Sequence, residues 1–349
     1  MKNKKKPIAF ITGVTGQDGA YLSNLLLCKG YDVFGGFRRG ATNKTWRLDF
    51  LGITKCIKLL EFQLNEPQHL IEILKKIQPN EIYHLAGESM VADSFKYPSV
   101  TLESNTIGTL NMLEAVRIIS PKSKIFFASS SEIFGKNSHN KLLNESSLTQ
   151  PNNPYAISKL TANYFIKLYR DRYDIFACSG ILFNHESPLR GLQFVTRKIT
   201  YRMAQLKMNS MVSPIELGDL NSSRDWGSAI DYVKAMKLML ETDEPKDYII
   251  ATGVLSSVRD CLRLSAFNAG FDPIFEGSGV SEICVDNISG RVIAKVLERN
   301  FRKSDTPPLV GDPTQVELAT GWVRTINFEK LIEEMSVADI NRIKAGNYD

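Results

Sequence analysis

Cysteine and histidine are both scarce in this chain of 349 residues, which holds five of the first and four of the second. The cysteines (Cys28, Cys56, Cys178, Cys261 and Cys284) are odd in number, scattered and never spaced C-x-x-C. That pattern excludes a disulfide framework and a zinc ribbon, and suits reduced thiols in a cytoplasmic protein. The histidines fall at no ligand spacing, so no metal is expected. Nowhere do eighteen apolar residues run together, so no membrane span is expected. The early apolar run "IAFITGVTG" is too short for a secretory signal and breaks into glycines. Internal repeats, low-complexity tracts and long linkers are also missing. Excess charge is nearly absent once it is located. The formal net charge is +5, yet four positive charges sit in the opening "MKNKKK", leaving about +1 for the remainder. No basic stripe interleaved with aromatics follows, so a solvated tail is expected and no nucleic-acid partner.

What is present is ordinary globular composition, 43% apolar and 23% charged, at a length that suits two packed lobes. Apolar β-type runs alternate with helical-period stretches from the start. "IAFIT" reads as a buried strand, "YLSNLLLCKG" as a helix stopped at Gly30, "YDVFGGF" as the next strand, and "PQHLIEILKKIQP" as a helix closed by Pro79. "EIYHLAG", one long helix around "VTLESNTIGTLNMLEAVRIIS", and "KIFFASS" follow. This alternation predicts an α/β fold, a Rossmann-type doubly wound parallel sheet.

Between the first strand and helix stands "GVTGQDG", with Gly13, Gly16 and Gly19 in a G-x-x-G-x-x-G spacing. Glycines are needed where the backbone turns tightly and lets a pyrophosphate approach a helix N-terminus. The position between strand and helix favours this reading over a plain Gly-rich turn. At the end of the second strand, where NAD binders place an acid, the chain reads "GFRRGATNKTWR", with Arg38, Arg39 and Arg47. Guanidinium groups suit a 2′-phosphate, so NADP is favoured, with NAD the alternative; the bland reading is an exposed basic loop.

Two further motifs carry chemistry: "ASSSE" at a strand end and "YAISK" on the next helix. A Ser/Thr, a Tyr and a Lys in this order resemble the short-chain dehydrogenase/reductase superfamily, where they handle a substrate hydroxyl. Tyrosine with a pKa near 10 is a poor base, and a lysine at i+4 lowers that value. Tyr155 would then take a hydroxyl proton while hydride leaves the same carbon, Lys159 would assist it, and Ser130 would hold the oxygen. Glu132 moves the expectation toward elimination, which needs a carboxylate to remove a proton beside a new carbonyl. Taken alone, Tyr155 and Lys159 are an amphipathic helix pair, and Glu132 a solvated strand-end acid.

Over nearly its whole length the chain resembles the GDP-mannose 4,6-dehydratase family, on "ITGVTGQDGAYL", "ASSSEIFGK", "GILFNHESPLRG", "FVTRKI", "SSRDWGSAIDYVKAMKLML" and "IATGVLSSVRD". The resemblance implies a NADP-binding Rossmann domain over 1–180, with a returning segment near 215–260. It also implies that 181–349 is mostly a smaller C-terminal α/β lobe for the GDP-sugar substrate. The implied catalytic residues are Ser130, Glu132, Tyr155 and Lys159, with serine standing where the family has threonine. Implied cofactor residues are Gly13, Thr15, Gly16, Gln17, Asp18 and Gly19 of the turn, then Arg38, Gln63, Leu64, Leu85 and Ser89. Tyr155, Lys159, His185 and Arg190 complete that group. Substrate contacts fall on Ser94, Ser130, Asn184, Val195, Lys198, Arg224, Arg302 and Asp305. The bland readings are that Asn184 caps a loop and that Arg224 bridges to Asp225 or Asp231.

The "RRGATNKTWR" loop matches a family segment reaching toward a neighbouring subunit, which implies a homotetramer or homodimer. Departures bear on specificity. Gln63 stands for an adenine-reading aspartate, Glu88 for a glutamine, and "FRKSDTPPLVGD" lacks the family's Arg-Pro pairing. The expected reaction is conversion of GDP-mannose, or a GDP-manno-heptose, to the 4-keto-6-deoxy sugar in the cytoplasm. A GDP-sugar epimerase or 4-dehydrogenase/reductase is the alternative.

Overall fold

A computed structural model gives the structure of residues 6–40, 45–136, 142–209, 211–301 and 308–346. In chain order the front half alternates strands β1 (Ile8–Thr12), β2 (Asp32–Arg38), β3 (Lys58–Phe62), β4 (Glu81–His84), β5 (Lys124–Ser130) and β6 (Ala177–Leu182) with helices. These helices are α1 (Gln17–Cys28), α2 (Trp46–Phe50), α3 (Pro67–Ile77), α4 (Val91–Lys96), α5 (Pro98–Leu102), α6 (Gly108–Ile119) and α7 (Pro154–Tyr173). Next come β7 (Asn184–Glu186), α8 (Val195–Met208), β8 (Ile215–Leu217), β9 (Ser223–Ser228), α9 (Ala229–Met239) and β10 (Tyr248–Ile250). The chain ends through β11 (Leu255–Ser257), α10 (Val258–Ala269), β12 (Pro273–Glu276), β13 (Ile283–Asp286), β14 (Val292–Val296), α11 (Thr314–Thr320) and α12 (Phe328–Lys344).

Two compact units result. The first takes residues up to Phe183 together with 229–251 and 311–323, and the second takes 184–228, 252–310 and the chain from Arg324. In the first unit, seven parallel strands lie in the order β10-β6-β5-β4-β1-β2-β3. Strand order reverses between β1 and β4, and such a switch point is where open α/β sheets take ligands, beyond the carboxyl ends of the strands. β1, β4 and β6 are buried almost throughout, because helices cover both faces of a parallel sheet. Phe10, Leu70, Ile82, Leu113, Ile125 and Ile166 belong to one apolar cluster of this unit.

The single long helix expected around residues 100–120 is instead α5, a π turn over Glu103–Ile107, and α6. The wider turn aims Asn105 and Thr106 at α7, where Asn105 donates to Ser158 Oγ at 3.0 Å and Thr106 to the Ser158 carbonyl at 3.1 Å. Thr109 Oγ meanwhile donates to the Asn105 carbonyl at 2.6 Å.

The second unit holds two small sheets, β11-β9-β7 and β12-β13-β14-β8. Helices α8, α10 and α12 pack together around Ile199, Met203, Leu262 and Met335, and Trp226 stacks on Phe328 at 5.6 Å. Inside this core Arg197 of α8 holds Asp339 of α12 at 2.8 Å, and Arg342 holds the same carboxylate at 2.9 Å.

Candidate active site

The glycine turn is built as its sequence requires. Gly13 takes φ +73°, and its N–H donates to the Gly36 carbonyl at 2.9 Å, so the chain reverses straight off β1. A Cβ on Gly19 would lie 2.4 Å from the Gly13 carbonyl oxygen and 2.6 Å from Val14 Cα, so only hydrogen fits there. Helix α1 therefore starts against the turn, with Gln17, Asp18 and Gly19 in its first turn. Its N-terminus lies at the switch point, a place suited to an anion.

A polar chain fixes the neighbouring β4 loop. Thr12 Oγ accepts from the Leu85 and Ala86 N–H groups, each at 3.1 Å, and pairs with His84 Nδ1 at 2.9 Å. His84 Nε2 faces Thr109 Oγ at 3.2 Å. The Thr109 proton is already given to Asn105, so His84 carries its proton on Nε2 and accepts from Thr12 on Nδ1. Burial, reinforced by the charge of Lys159, drives the imidazole down to about 3 and keeps it neutral. Asn105 closes the chain: its Oδ1 accepts from the Glu88 N–H at 2.8 Å, and its Nδ2 donates to the Glu88 carbonyl at 3.0 Å. Ser89 stands exposed just beyond this loop, and Leu85 lies within it, half-buried.

The arginines after β2 lie where the sequence puts them, and two of them have acidic partners. Arg38 pairs with Glu88 at 3.1 Å and Arg39 with Glu66 at 3.4 Å. Arg47 donates to the Thr15 carbonyl at 3.1 Å and lies over the Trp46 ring, which ties α2 to the glycine turn. Residues 41–44 of this loop lie outside the described residues. Gln63 and Leu64 follow β3 half-buried, with the Leu64 carbonyl accepting from Asn111 at 2.8 Å.

Ser130, Glu132, Tyr155 and Lys159 come together where β5 ends and α7 begins. Ser130 is the last residue of β5, and its Oγ accepts from the Glu132 N–H at 3.3 Å. A hydroxyl whose lone pair is engaged in this way keeps its proton to donate elsewhere. Asn153 caps α7, accepting from the Ala156 N–H at 2.8 Å, and Pro154 fills the first helical position. Tyr155 and Lys159 then share one face at i, i+4, both buried. Lys159 Nζ donates to the Ala128 carbonyl at 2.8 Å and lies 6.0 Å from the centre of the Tyr155 ring. Burial pulls its ammonium down to about 8.

Ser94, expected at the sugar, is buried with its hydroxyl on the Val91 carbonyl at 2.7 Å. The other expected substrate and cofactor residues belong to the second unit. His185 is buried in β7 beside exposed Asn184. Arg190 pairs with Glu186 at 3.1 Å and lies over the Phe194 ring at 3.4 Å. Val195 opens α8, and exposed Lys198 donates to the Glu216 carbonyl at 2.9 Å. Arg224 is exposed and donates to the Ser223 carbonyl at 2.7 Å; Asp225 accepts from Thr252 and Gly253, and Asp231 pairs with Lys234. Arg302 and Asp305 lie outside the described residues. The sequence reading passed over Thr12, His84, Asn105 and Asn153. An asparagine just before "PY" at a helix start was the one available signal among them.

Comparison with known proteins gives one answer for sequence and a broader one for fold. A GDP-mannose 4,6-dehydratase from Yersinia enterocolitica is 40% identical over 353 residues, covering 96% of this chain and 94% of that protein. The human GDP-mannose 4,6 dehydratase is 37% identical over 349 residues, covering 98% and 93%. UDP-glucose 4-epimerase from Thermotoga maritima, solved with UDP-glucose, superposes with a TM-score of 0.80 at 20% identity, covering 97% of this chain and 99% of that one. RMD from Pseudomonas aeruginosa, complexed with NADPH, gives 0.77 at 22% identity, covering 97% and 100%. These last two share the fold. The sequence model described as GDP-mannose 4,6 dehydratase matches residues 10–335, and the chain belongs to that family.

Proposed function

We propose that the protein is a NADP-dependent hydro-lyase acting on GDP-mannose or a close GDP-sugar such as a GDP-manno-heptose. The product is the GDP-4-keto-6-deoxy sugar. The observation that carries this reading is the convergence of Ser130, Glu132, Tyr155 and Lys159 at one strand–helix junction within a chain that matches the dehydratase family from residue 10 to 335. The tight glycine turn, where a Cβ on Gly19 would strike the Gly13 carbonyl oxygen and Val14, brings the α1 N-terminus close to the turn and fits a pyrophosphate, and Arg38 at the end of β2 fits a 2′-phosphate.

When bound, NADP supplies the chemistry of taking hydride from C4 and returning it to C6. The protein's own groups move the protons. Ser130 donates to the C4 oxygen and holds it, while Tyr155 takes the hydroxyl proton, favoured as an anion by the Lys159 charge. The new C4 carbonyl acidifies C5, and Glu132 removes that proton as the C6–O bond breaks. Glu132 then gives that proton to the departing C6 oxygen, which leaves as water, and Tyr155, holding the solvent-exchangeable proton from the C4 hydroxyl, supplies the one that C5 takes when hydride returns to C6. The net change is loss of one water with no net redox, so no free reductant is consumed.

In this reading the GDP-sugar contacts of the second unit are Asn184, Val195, Lys198 and Arg224. A homotetramer or homodimer fits the apolar side chains exposed on the packed helices α4, α5 and α7 and at the α4–α5 junction: Phe95, Tyr97, Val100, Tyr164 and Leu168. A cytoplasmic location fits the five free thiols. The test is turnover of GDP-mannose by NADP-loaded protein without added reductant. A 4-keto-6-deoxy product supports the reading, and a 4-keto product that keeps its C6 hydroxyl while reduced cofactor builds up sinks it.

A further inference from the structure

Asn153 does two things that a helix cap alone would not ask of it. Its Oδ1 accepts from the Ala156 N–H at 2.8 Å, and its Nδ2 donates to Glu132 Oε2 at 3.1 Å. The same Nδ2 lies 3.1 Å from Asn152 Oδ1. The residue is 5% exposed, so these bonds are made away from bulk water. Turning the amide by half a rotation would place donor against donor at Ala156 and acceptor against carboxylate at Glu132. Only one orientation satisfies both sides.

Serine, threonine and aspartate all cap helices about as well as asparagine. Aspartate has no proton to give a carboxylate, and serine and threonine carry theirs on Cβ, one bond short of where the amide nitrogen stands. The amide is the cap that reaches Ala156 with its oxygen and Glu132 with its nitrogen.

We infer that Asn153 is the positioning residue for Glu132, fastening the proton-removing carboxylate to the helix that carries Tyr155 and Lys159. The inference rests on the dehydratase reading above, in which Glu132 takes the C5 proton. Glu132 is then held at two points: its backbone N–H on Ser130 Oγ at 3.3 Å and its Oε2 on Asn153. One side chain thus sets the spacing between the group that works at C5 and the group that works at the C4 oxygen. A bond from an amide to a carboxylate is stronger than a neutral one, and misplacement of a reacting group by even an ångström slows a step markedly.

The test uses NADP-loaded full-length protein with GDP-mannose, comparing the parent with Asn153→Ser and Asn153→Asp. Both variants keep a capping oxygen and lose the amide N–H: aspartate has no proton to give, and serine keeps only an O–H carried on Cβ, one bond short of the amide nitrogen. Three quantities are read: the near-ultraviolet absorbance of reduced nicotinamide in a single turnover, deuterium entry at C5 in heavy water, and Tm. Asn153→Ser is expected to reduce the nicotinamide at the parental rate while C5 exchange and product formation fall by about ten-fold, so that reduced cofactor accumulates. Asn153→Asp is expected to fall further, because a second carboxylate faces Glu132. Parental C5 exchange in Asn153→Ser overturns the inference. So does an equal loss of oxidation and elimination, with or without a lower Tm, since that is the signature of a cap alone. If the parent itself converts neither GDP-mannose nor a GDP-manno-heptose, the dehydratase reading fails and takes this inference with it.

Discussion

Lys159 Nζ stands 6.0 Å from the centre of the Tyr155 ring, one helical turn along the same buried face. Burial holds that ammonium down to about 8, so its charge is available at neutral pH and is lost not far above it. If the Lys159 charge keeps Tyr155 reactive, kcat falls as pH rises through about 8. A pH–rate profile of the parent should show that limb, and Lys159→Arg, which cannot lose its charge, should lack it. Lys159→Met should lower kcat by roughly 10²–10⁴ at neutral pH.

The same shift makes a statement about stability. The folded protein releases the Lys159 proton near 8 and the unfolded chain near 10.5, so between these values the unfolded state binds more protons. Stability contributed by this site therefore rises with pH across that window, and the penalty for burying the charge is full below it. In the cofactor-free protein, Lys159→Met should raise Tm at pH 7, and the advantage should shrink toward pH 10. Thermal melts of both proteins across that range check it; a constant difference would show that the lysine is not strained by its burial.

Gly19→Ala sets a methyl group against the Gly13 carbonyl and Val14 Cα, all backbone that cannot give way cheaply. Helix α1 would have to move off the glycine turn. The expected result is a Tm lower by several degrees, in line with overpacking of about 1–3 kcal/mol, and NADP affinity reduced at least about ten-fold. Fluorescence titration of the variant with NADP reads the second effect.

Arg38 is shared between its proposed phosphate and Glu88, 3.1 Å away. Both side chains are substantially exposed, so the pair itself adds little to stability. Releasing the arginine by Glu88→Gln should tighten NADP roughly two- to five-fold at low salt, leave NAD unchanged, and lose its effect at high ionic strength. Equal tightening of both cofactors would mean that Glu88 does not act through the 2′-phosphate.

Much of this arrangement was legible in the sequence where one physical requirement forces one residue type. Buried parallel strands must be continuously apolar, which marked "IAFIT" and "KIFFASS". The turn at Gly13–Gly19 admits no side chain, and a tyrosine–lysine pair at i, i+4 lies on one helix face by geometry alone. What stayed hidden depends on folding-back. His84 joins Thr12 and Thr109 across 72 and 25 positions of sequence, and no local pattern marks such a bridge. The Asn153–Glu132 bond depends on the short 3₁₀ turn Ser131–Phe134 returning the carboxylate to the helix start. The π turn at Glu103–Ile107 has the same apolar spacing as an unbroken helix to within one residue. In the second unit, strands of three residues such as β7, β8 and β11 are too short to show a period.

The central claim is that Glu132 turns a dehydrogenase-like site into one that eliminates water. The most direct measurement is incubation of the NADP-loaded protein with GDP-mannose in deuterated water, followed by NMR of the product, beside Glu132→Gln. The account predicts a 4-keto-6-deoxy sugar carrying deuterium at C5 from the parent. From the variant it predicts turnover lower by roughly 10²–10⁴ with reduced cofactor retained. A parental product without deuterium at C5, or a variant that turns over like the parent, would contradict it.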